Sequence, residues 1–520
     1  MRSTSVHPFL ASLIRGLGGN PNIEVSVLLA SELDVSETNR TSWIYRLVFS
    51  VETFLIGLFM PRVKSLNLQE VVNTSPLSAS RDEQFDLIIN TIEGRIRPSR
   101  IPDSSTGLLS LGFGDLSRNV AGPPGFWESR YGAGSSGLFL SRGPEVVFSG
   151  RYKSKRTQSL NAENVLREGF YDLKTVIERY ATSGLLPESP NVLAPKWRSP
   201  GVKDVFSYRL KTVIRELIVF FREIVLLQKQ RFGVVISEGH WEDFRKEEDG
   251  PSDASMDGGV TRIENTRARY FADPFLVQRD GRTICFVEDY SFRLDRGRIS
   301  AFDLTGDEPE PLGPVIEEPC HMSFPYVFEY EDDLFMIPET FEAEEISVYR
   351  CRNFPMEWER YGSLMEDVEA SDTMVFEQEG RWWMLTNLRP EGCIDFYSRL
   401  YAFYSDSPLS KNWTPHALNP IFIDSDGGRN GGILRARDGG IHRVGQHQGM
   451  TTYGEGYTIF KIDDLTPTSF RQTVVSSSIG GTNTGGANTG ISAAGQIGGH
   501  HVHASGNLTA TDILKYERVH

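Results

Sequence analysis

Carboxylates and amides recur at fixed places in the second half of this chain. Four stretches, DPFLVQRDGRTICFVE (Asp273 to Glu288), FPYVFEYEDDLFMIPE (Phe324 to Glu339), DTMVFEQEGRWWMLTN (Asp372 to Asn387) and GGILRARDGGIHRVGQ (Gly431 to Gln446), lay over one another without a gap. Their ends carry Asp273, Glu288, Glu339, Asp372, Asn387 and Gln446, residue types that strands do not favour. Paired carboxylates across a common cleft can perform acid/base work on a glycosidic bond, one kept protonated and another ionised. Asp273, Glu288, Glu339 and Asp372 are therefore candidate catalytic residues. Asn387, Gln446, Arg429, His321, His447 and Trp382 are candidate substrate contacts. A plainer reading stays open: Asp-Pro and Asp-Thr cap turns at strand starts, Glu288 and Glu339 neutralise Arg429, and the tryptophans fill space between sheets. His321 and His447 come without metal-ligand spacing, so no metal is expected.

The elements that must position these residues follow from the same repeat. Each copy is an apolar strand, an acidic turn (Asp280-Gly281, Glu331-Asp332, Glu379-Gly380, Asp438-Gly439) and a second apolar strand, the pattern of a β-hairpin. Third strands follow near Ile299, Ile346, Leu400 and Tyr457. Antiparallel strands repeated about every fifty residues describe the blades of a propeller. A fifth blade is expected from Arg231 to Ser237 together with the C-terminal stretch HVHASGNLTATDILKYERV, closing the ring. The register places the first and last residues of each copy opposite one another, so that the mouth positions converge on one funnel. Ser476 to Gly499, rich in Gly, Ser, Thr, Asn and Ala, reads as a flexible insertion.

Length and charge bound the remainder. At 520 residues the chain is expected to hold two domains. Its net charge of -15 is uneven: about 29 Lys+Arg face about 22 Asp+Glu before residue 236, and about 25 face about 47 afterwards. An acidic propeller repels polyanions, which excludes nucleic acid as a partner. Cys285, Cys320, Cys351 and Cys393 have no paired spacing and read as reduced residues. The apolar runs Trp43 to Met60 and Phe206 to Leu227 carry charges that a bilayer span would not tolerate, so both read as buried or docking helices, with an interfacial membrane role open for the second. With no signal peptide legible, a cytoplasmic location is expected. Residues 1–185 alternate strand-like and helix-like segments (Ile23 to Ala30, Phe85 to Asn90, Leu108 to Phe113, Asn161 to Thr182), which predicts an α/β domain. Residues 186–230 form a linker and connecting helix, and residues 231–520 form the propeller.

Two resemblances add to this reading. Around ADPFLVQRDGR, SFPYVFEYEDDLFMIPET, DTMVFEQEGRWWML and YSDSPLSKNWTPH, the chain resembles the N-terminal propeller domain of glucosamine inositolphosphorylceramide transferases, and more distantly the five-bladed glycosidases of family 43. The resemblance implies a role in glycan or glycolipid assembly, a carbohydrate or glycolipid ligand and a glycosyltransferase as possible partner. Family 43 uses Asp, Asp and Glu from its first three blades; Asp273 matches the first, but Phe324-Pro325 stands where the second Asp is expected. In the first domain, GLLSLGFGD followed by NVAGPPGFWE is similar to the formyltransferase fold. That family implies a folate-type formyl donor as cofactor only if the domain is active. No His lies between Gly107 and Glu128, and Ser141-Arg142-Gly143 replaces the Asp-Gly element, so the resemblance implies a catalytically degenerate domain with a ligand cleft around Asp115, Arg118, Asn119 and Trp127. The alternative is that Gly122 to Trp127 shapes a tight turn under a tryptophan anchor.

Overall fold

A computed structural model describes residues 5–25, 35–38, 43–56, 66–67, 84–91, 94–96, 103–184, 192–243, 260–479 and 499–518. The chain divides into two compact units, Met1–Glu216 with Gly392–Ile394, and Leu217–Glu391 with Asp395–His520.

The first unit is built on a sheet ordered Glu145–Lys153, Ser135–Arg142, Leu108–Asp115, Val120–Ala121 and Lys196–Trp197, with Ile88–Asn90 added beside Leu108–Asp115. The long helix Gln158–Ser183 packs on its Ser135–Arg142 and Glu145–Lys153 strands. Thr157 caps this helix, its Oγ1 accepting from Leu160 N–H, and Gly184 ends it in the left-handed conformation. The alternation expected of an α/β domain is only partly present. The central pairs are antiparallel, because Ser135–Arg142 turns straight back into Glu145–Lys153 without a crossover helix. The expected strand at Ile23 to Ala30 is irregular over its first three residues, and the rest lies outside the described residues.

The second unit is a five-bladed β-propeller. Blade 1 is Arg269–Arg279, Arg282–Ser291, Arg296–Asp303 and Glu310–Ile316; blade 2 is Ser323–Tyr330, Asp333–Glu339, Glu345–Asn353 and Glu357–Glu366. Blade 3 is Ala370–Gln378, Arg381–Leu388, Arg399–Ser405 and Thr414–Pro415, and blade 4 is Asp426–Arg435, Ile441–His447, Gly456–Leu465 and Phe470–Ile479. The fifth joins both ends of the unit in the order Val260–Ile263, Gln228–Glu238, Leu508–Arg518, Val502–Ser505. Innermost strands pack in sequence around the ring, and Val502–Ser505 touches both blade 4 and blade 1, which completes the circle. The tract expected to begin at Ser476 starts later, since the outer strand of blade 4 runs to Ile479; residues 480–498 lie outside the described residues.

Three acidic turns carry left-handed backbone at both central residues: φ is 54° and 72° at Asp280-Gly281, 50° and 68° at Glu331-Asp332, and 55° and 74° at Glu379-Gly380. This geometry belongs to the two-residue turn whose twist matches the strands it joins. At the opposite end of the hairpins the expected register fails. Glu288, Glu339 and Asn387 pair with Ala272, Ser323 and Ser371, one residue before each copy begins. Asp273, Phe324 and Asp372 instead occupy bulges in which two residues oppose one, with φ of 49°, 47° and 47°. A bulge bends the strand and re-aims the side chain that it carries.

Between the blades runs an apolar core that includes Phe275, Phe286, Phe324, Met336, Met384 and Leu400, all fully buried. Ring closure rests on eleven consecutive pairs between Gln228–Glu238 and Leu508–Arg518, with Leu514 and Ile513 buried beneath them. Leu514→Ala is expected to destabilise the chain by about 2–5 kcal/mol in urea unfolding, and Val474→Ala, at an exposed site, by less than about 0.5 kcal/mol. Equal effects would mean that the closing strand is not part of the cooperative core.

Candidate functional site

The bulges and the ends of the second strands bring the carboxylates of blades 1 to 3 to the inner side of the ring, where blade 4 supplies a cation. Arg429 Nε donates to Asp372 Oδ2 at 2.6 Å, and its Nη2 donates to Glu339 Oε2 at 3.0 Å. Gln446 Nε2 donates to the same Asp372 oxygen at 3.0 Å. Two tyrosines, Tyr397 and Tyr453, flank the guanidinium with ring centroids 5.7 and 5.6 Å from it. Glu339, Asp372, Arg429 and Gln446 are buried, and a buried cation shared between two acids is retained only where its hydrogen bonds are met. Burial pushes Asp372 well above the usual carboxylate range, Arg429 pulls it down, and the neighbouring Glu339 adds to the rise.

A second cluster stands beside the first. His500 Nε2 lies 3.2 Å from Asp273 Oδ1, and its Nδ1 lies 2.8 Å from Asp512 Oδ2. Asp512 Oδ1 also accepts the backbone N–H groups of His500 and His501, at 2.7 and 3.0 Å. Burial opposes a charge on His500, yet the two carboxylates raise it to about 10, so it is an imidazolium at neutral pH. Asp273 is held at about 2: burial works against its charge, and the contact with His500 outweighs it. Phe324 N–H also donates to Asp273 Oδ2 at 3.2 Å, so the blade 2 bulge helps fix the blade 1 carboxylate. Asp273, His500 and Asp512 offer oxygen and nitrogen atoms within 4.8 Å of one another, a spacing that could also hold a metal ion once the imidazole has lost its proton.

Glu288 lies next to these pairs and differs from them. Burial, with the negative charge of Asp273 second, drives its carboxyl well above the usual range. Its nearest partner is His321, whose Nε2 is 3.6 Å from Oε1. Because His321 Nδ1 accepts from Gly297 N–H at 2.9 Å, the ring proton sits on Nε2, facing Glu288.

Of the residues expected from sequence, Asp273, Glu288, Glu339, Asp372, Arg429, Gln446 and His321 are brought to these two clusters and their rim. Asn387 is adjacent but locked into the backbone: it donates to the Arg399 and Gly428 carbonyls at 2.7 and 2.9 Å and accepts from Asn430 N–H at 2.9 Å. His447 follows Gln446 on the same strand, points to the opposite face and bonds Thr458. Trp382 stands at the hairpin end of its blade, against Phe328 and Tyr330. Sequence reasoning missed His500, Asp512, Tyr397 and Tyr453. Asp512 had a signal, as the one carboxylate in the strand-like run TATDILKY; His500 had none, lying at the end of a Gly-rich tract.

In the first unit, Asp115 is engaged in a turn. Its Oδ1 accepts from Ser117 N–H at 2.9 Å, its Oδ2 pairs with Arg118 Nε at 3.1 Å, and Asn119 is exposed with φ of 51°. Trp127 is fully buried, with Nε1 donating to the Arg198 carbonyl at 3.2 Å. A Cβ at Gly122 would lie 2.3 Å from that Nε1, so only glycine lets the turn pass over the ring.

Residues 259–504 match the family model described as "Glucosamine inositolphosphorylceramide transferase 1, N-terminal". Over these residues the chain resembles the N-terminal part of that family. Over 217 residues it is 33% identical to glucosamine inositolphosphorylceramide transferase 1 of Arabidopsis thaliana, an overlap covering 41% of this chain and 28% of the relative. The protein of the same description from Oryza sativa subsp. japonica is 32% identical over 216 residues, covering 41% and 29%. The chain thus spans less than a third of the length of these curated relatives. Among solved structures, a thermostable family-43 glycoside hydrolase is similar with a TM-score of 0.31 at 13% identity, covering 39% of this chain and 74% of that one. An α-L-arabinofuranosidase from Podospora anserina in complex with cellotriose has a TM-score of 0.36 at 10% identity, covering 52% and 94%.

Two measurements check the electrostatics. The stability contributed by the raised His500 is fully present below its ordinary value of 6.5 and is lost as pH rises through about 10. Unfolding free energy should therefore fall across that window in the wild type and stay flatter in His500→Gln; a matching slope in both would refute the imidazolium. Arg429→Met, which strands two buried acids, is expected to cost about 3–5 kcal/mol at pH 7. Most of that loss should return when Asp372→Asn is added, and no recovery would show that the pair does not share the cation.

Proposed function

We propose that the propeller funnel binds a carbohydrate, the sugar part of a glycan or glycolipid, during glycolipid assembly. The observation that carries this reading is that the segment matching the family model, residues 259–504, contains Asp273, Glu288, Glu339, Asp372, Arg429, Gln446 and His500. The matched relatives are named glucosamine inositolphosphorylceramide transferase 1. Funnel chemistry supports a neutral polyhydroxyl ligand. Arg429 and His500 are each matched by carboxylates from within the protein, and burial pushes the Glu288 carboxyl toward its protonated, hydrogen-bond-donating form. Tyr397 and Tyr453, with centroids 6.0 Å apart, put aromatic surface beside these pairs, which supports a carbohydrate ligand. On this reading the propeller holds the glycan while a transferase domain or a partner transferase carries out the transfer.

A second reading rests on one contrast: Asp273 is driven to about 2 while Glu288 is driven up, and neighbouring acids pushed apart in this way are an acid/base pair. Glu288 would then protonate a leaving oxygen while Asp273 acts as base or nucleophile. Binding is favoured over hydrolysis because Asp273 is already committed to His500 and the Phe324 N–H, leaving it little freedom to attack.

Glycan-array screening of the full chain, followed by calorimetry with the best ligand, separates the two readings. Saccharide binding without turnover, weakened at least about tenfold, equal to about 1.4 kcal/mol, in Glu288→Ala, is the expected result. Reducing sugar released by the wild type and abolished in Glu288→Gln would make the funnel a hydrolytic site. No saccharide binding would remove the assignment altogether.

A further inference from the structure

Among the described residues, helix Trp43–Ile56 and the part of helix Val202–Phe220 that belongs to the first unit leave an apolar face exposed. Helix Trp43–Ile56 and helix Val202–Phe220 are clamped together by Glu52, whose Oε2 accepts from Tyr208 Oη at 2.6 Å and pairs with Arg209 Nη1 at 3.0 Å, while Arg209 Nη2 donates to the Val48 carbonyl at 3.3 Å. Their inward faces bury Tyr45, Val205 and Tyr208. Their outward faces carry Trp43, Leu47, Phe206, Leu210, Val213 and Ile214, with Trp43 67% and Phe206 69% exposed. At 100° per residue, Phe206 and Val213 lie just outside Arg209 on the side that faces the first helix, so the two apolar stripes adjoin.

Charge on this face has one sign. The carboxylates of the two helices up to Glu216 are each paired with arginine: Glu52 with Arg209, Asp204 with Arg130 and Arg198 at 3.2 and 3.1 Å, and Glu216 with Arg156 at 3.6 Å. Arg46, Lys203 and Lys211 are exposed, and no carboxylate among the described residues pairs with them. In a chain of net charge -15, this is a basic, apolar patch.

We propose that this two-helix face docks on an anionic lipid bilayer surface. Exposed Phe, Leu, Val and Ile side chains enter the headgroup boundary, Trp43 sits at its polar edge, and Arg46, Lys203 and Lys211 meet lipid phosphates. A second copy of the chain is a poorer occupant, because a two-fold apposition would set these unpaired cations against themselves. No helix among the described residues is long and apolar enough to cross a membrane, so this contact lies on the surface.

The test is co-sedimentation of the full chain with vesicles of phosphatidylcholine alone and of phosphatidylcholine with 30% (~) phosphatidylserine, at low and high salt. Binding to the anionic vesicles only, reduced at least about tenfold by salt, by Phe206→Glu/Leu210→Glu or by Lys203→Glu/Lys211→Glu, is the expected result. Quenching of tryptophan emission by brominated lipid, lost in Trp43→Phe, would place the face against the bilayer. Absence of vesicle binding overturns the proposal. If light scattering then shows a dimer that Phe206→Glu/Leu210→Glu dissolves, the occupant is a second copy; if those substitutions lower the melting temperature of a monomer, the chain itself covers the face.

Discussion

The propeller depends on the pairing of its two ends. Gln228–Glu238 enters before blade 1, Leu508–Arg518 arrives after blade 4, and eleven consecutive residue pairs join them into one blade. Without that pairing blades 1 and 4 would each present an open flank, and the ring would have no fixed diameter. Closure also completes the funnel. Asp512 lies on the closing strand and His500 just before its partner strand, so the imidazolium that holds Asp273 is present only when the ring is shut.

Within the ring, charge is organised as two cations among five acids. Arg429 is shared by Glu339 and Asp372, His500 by Asp273 and Asp512, and burial raises Glu288 well above the usual carboxylate range. Such an arrangement avoids the large cost of isolated buried charge. The tyrosines bridge the clusters: Tyr453 contacts Arg429 on one side and His500, 5.2 Å between centroids, on the other.

Much of the propeller was legible in the sequence because its signals are local. Hairpins announced themselves through acidic two-residue turns between apolar runs, and the repeat fixed which strands share a blade. The bulges were not legible, since Asp273, Phe324 and Asp372 adopt left-handed φ without a glycine to mark them. That one-residue offset turned an expected face-to-face pair into a re-aimed side chain. Trp382 illustrates the converse: it is near the mouth residues in sequence, but strand geometry carries it to the far end of the hairpin. His500 joins the site through ring closure, a long-range event with no local pattern. In the first unit, Trp127 and Gly122 are explained by packing, and Asp115 by the turn that it caps with its side chain.

The central claim is that the funnel is a sugar site, and a crystal structure of the full chain with the tightest-binding saccharide tests it most directly. The account predicts the sugar between Glu288 and the Tyr397–Tyr453 rings, with the Arg429 and His500 pairs intact. A saccharide bound elsewhere, with those groups untouched, would contradict it.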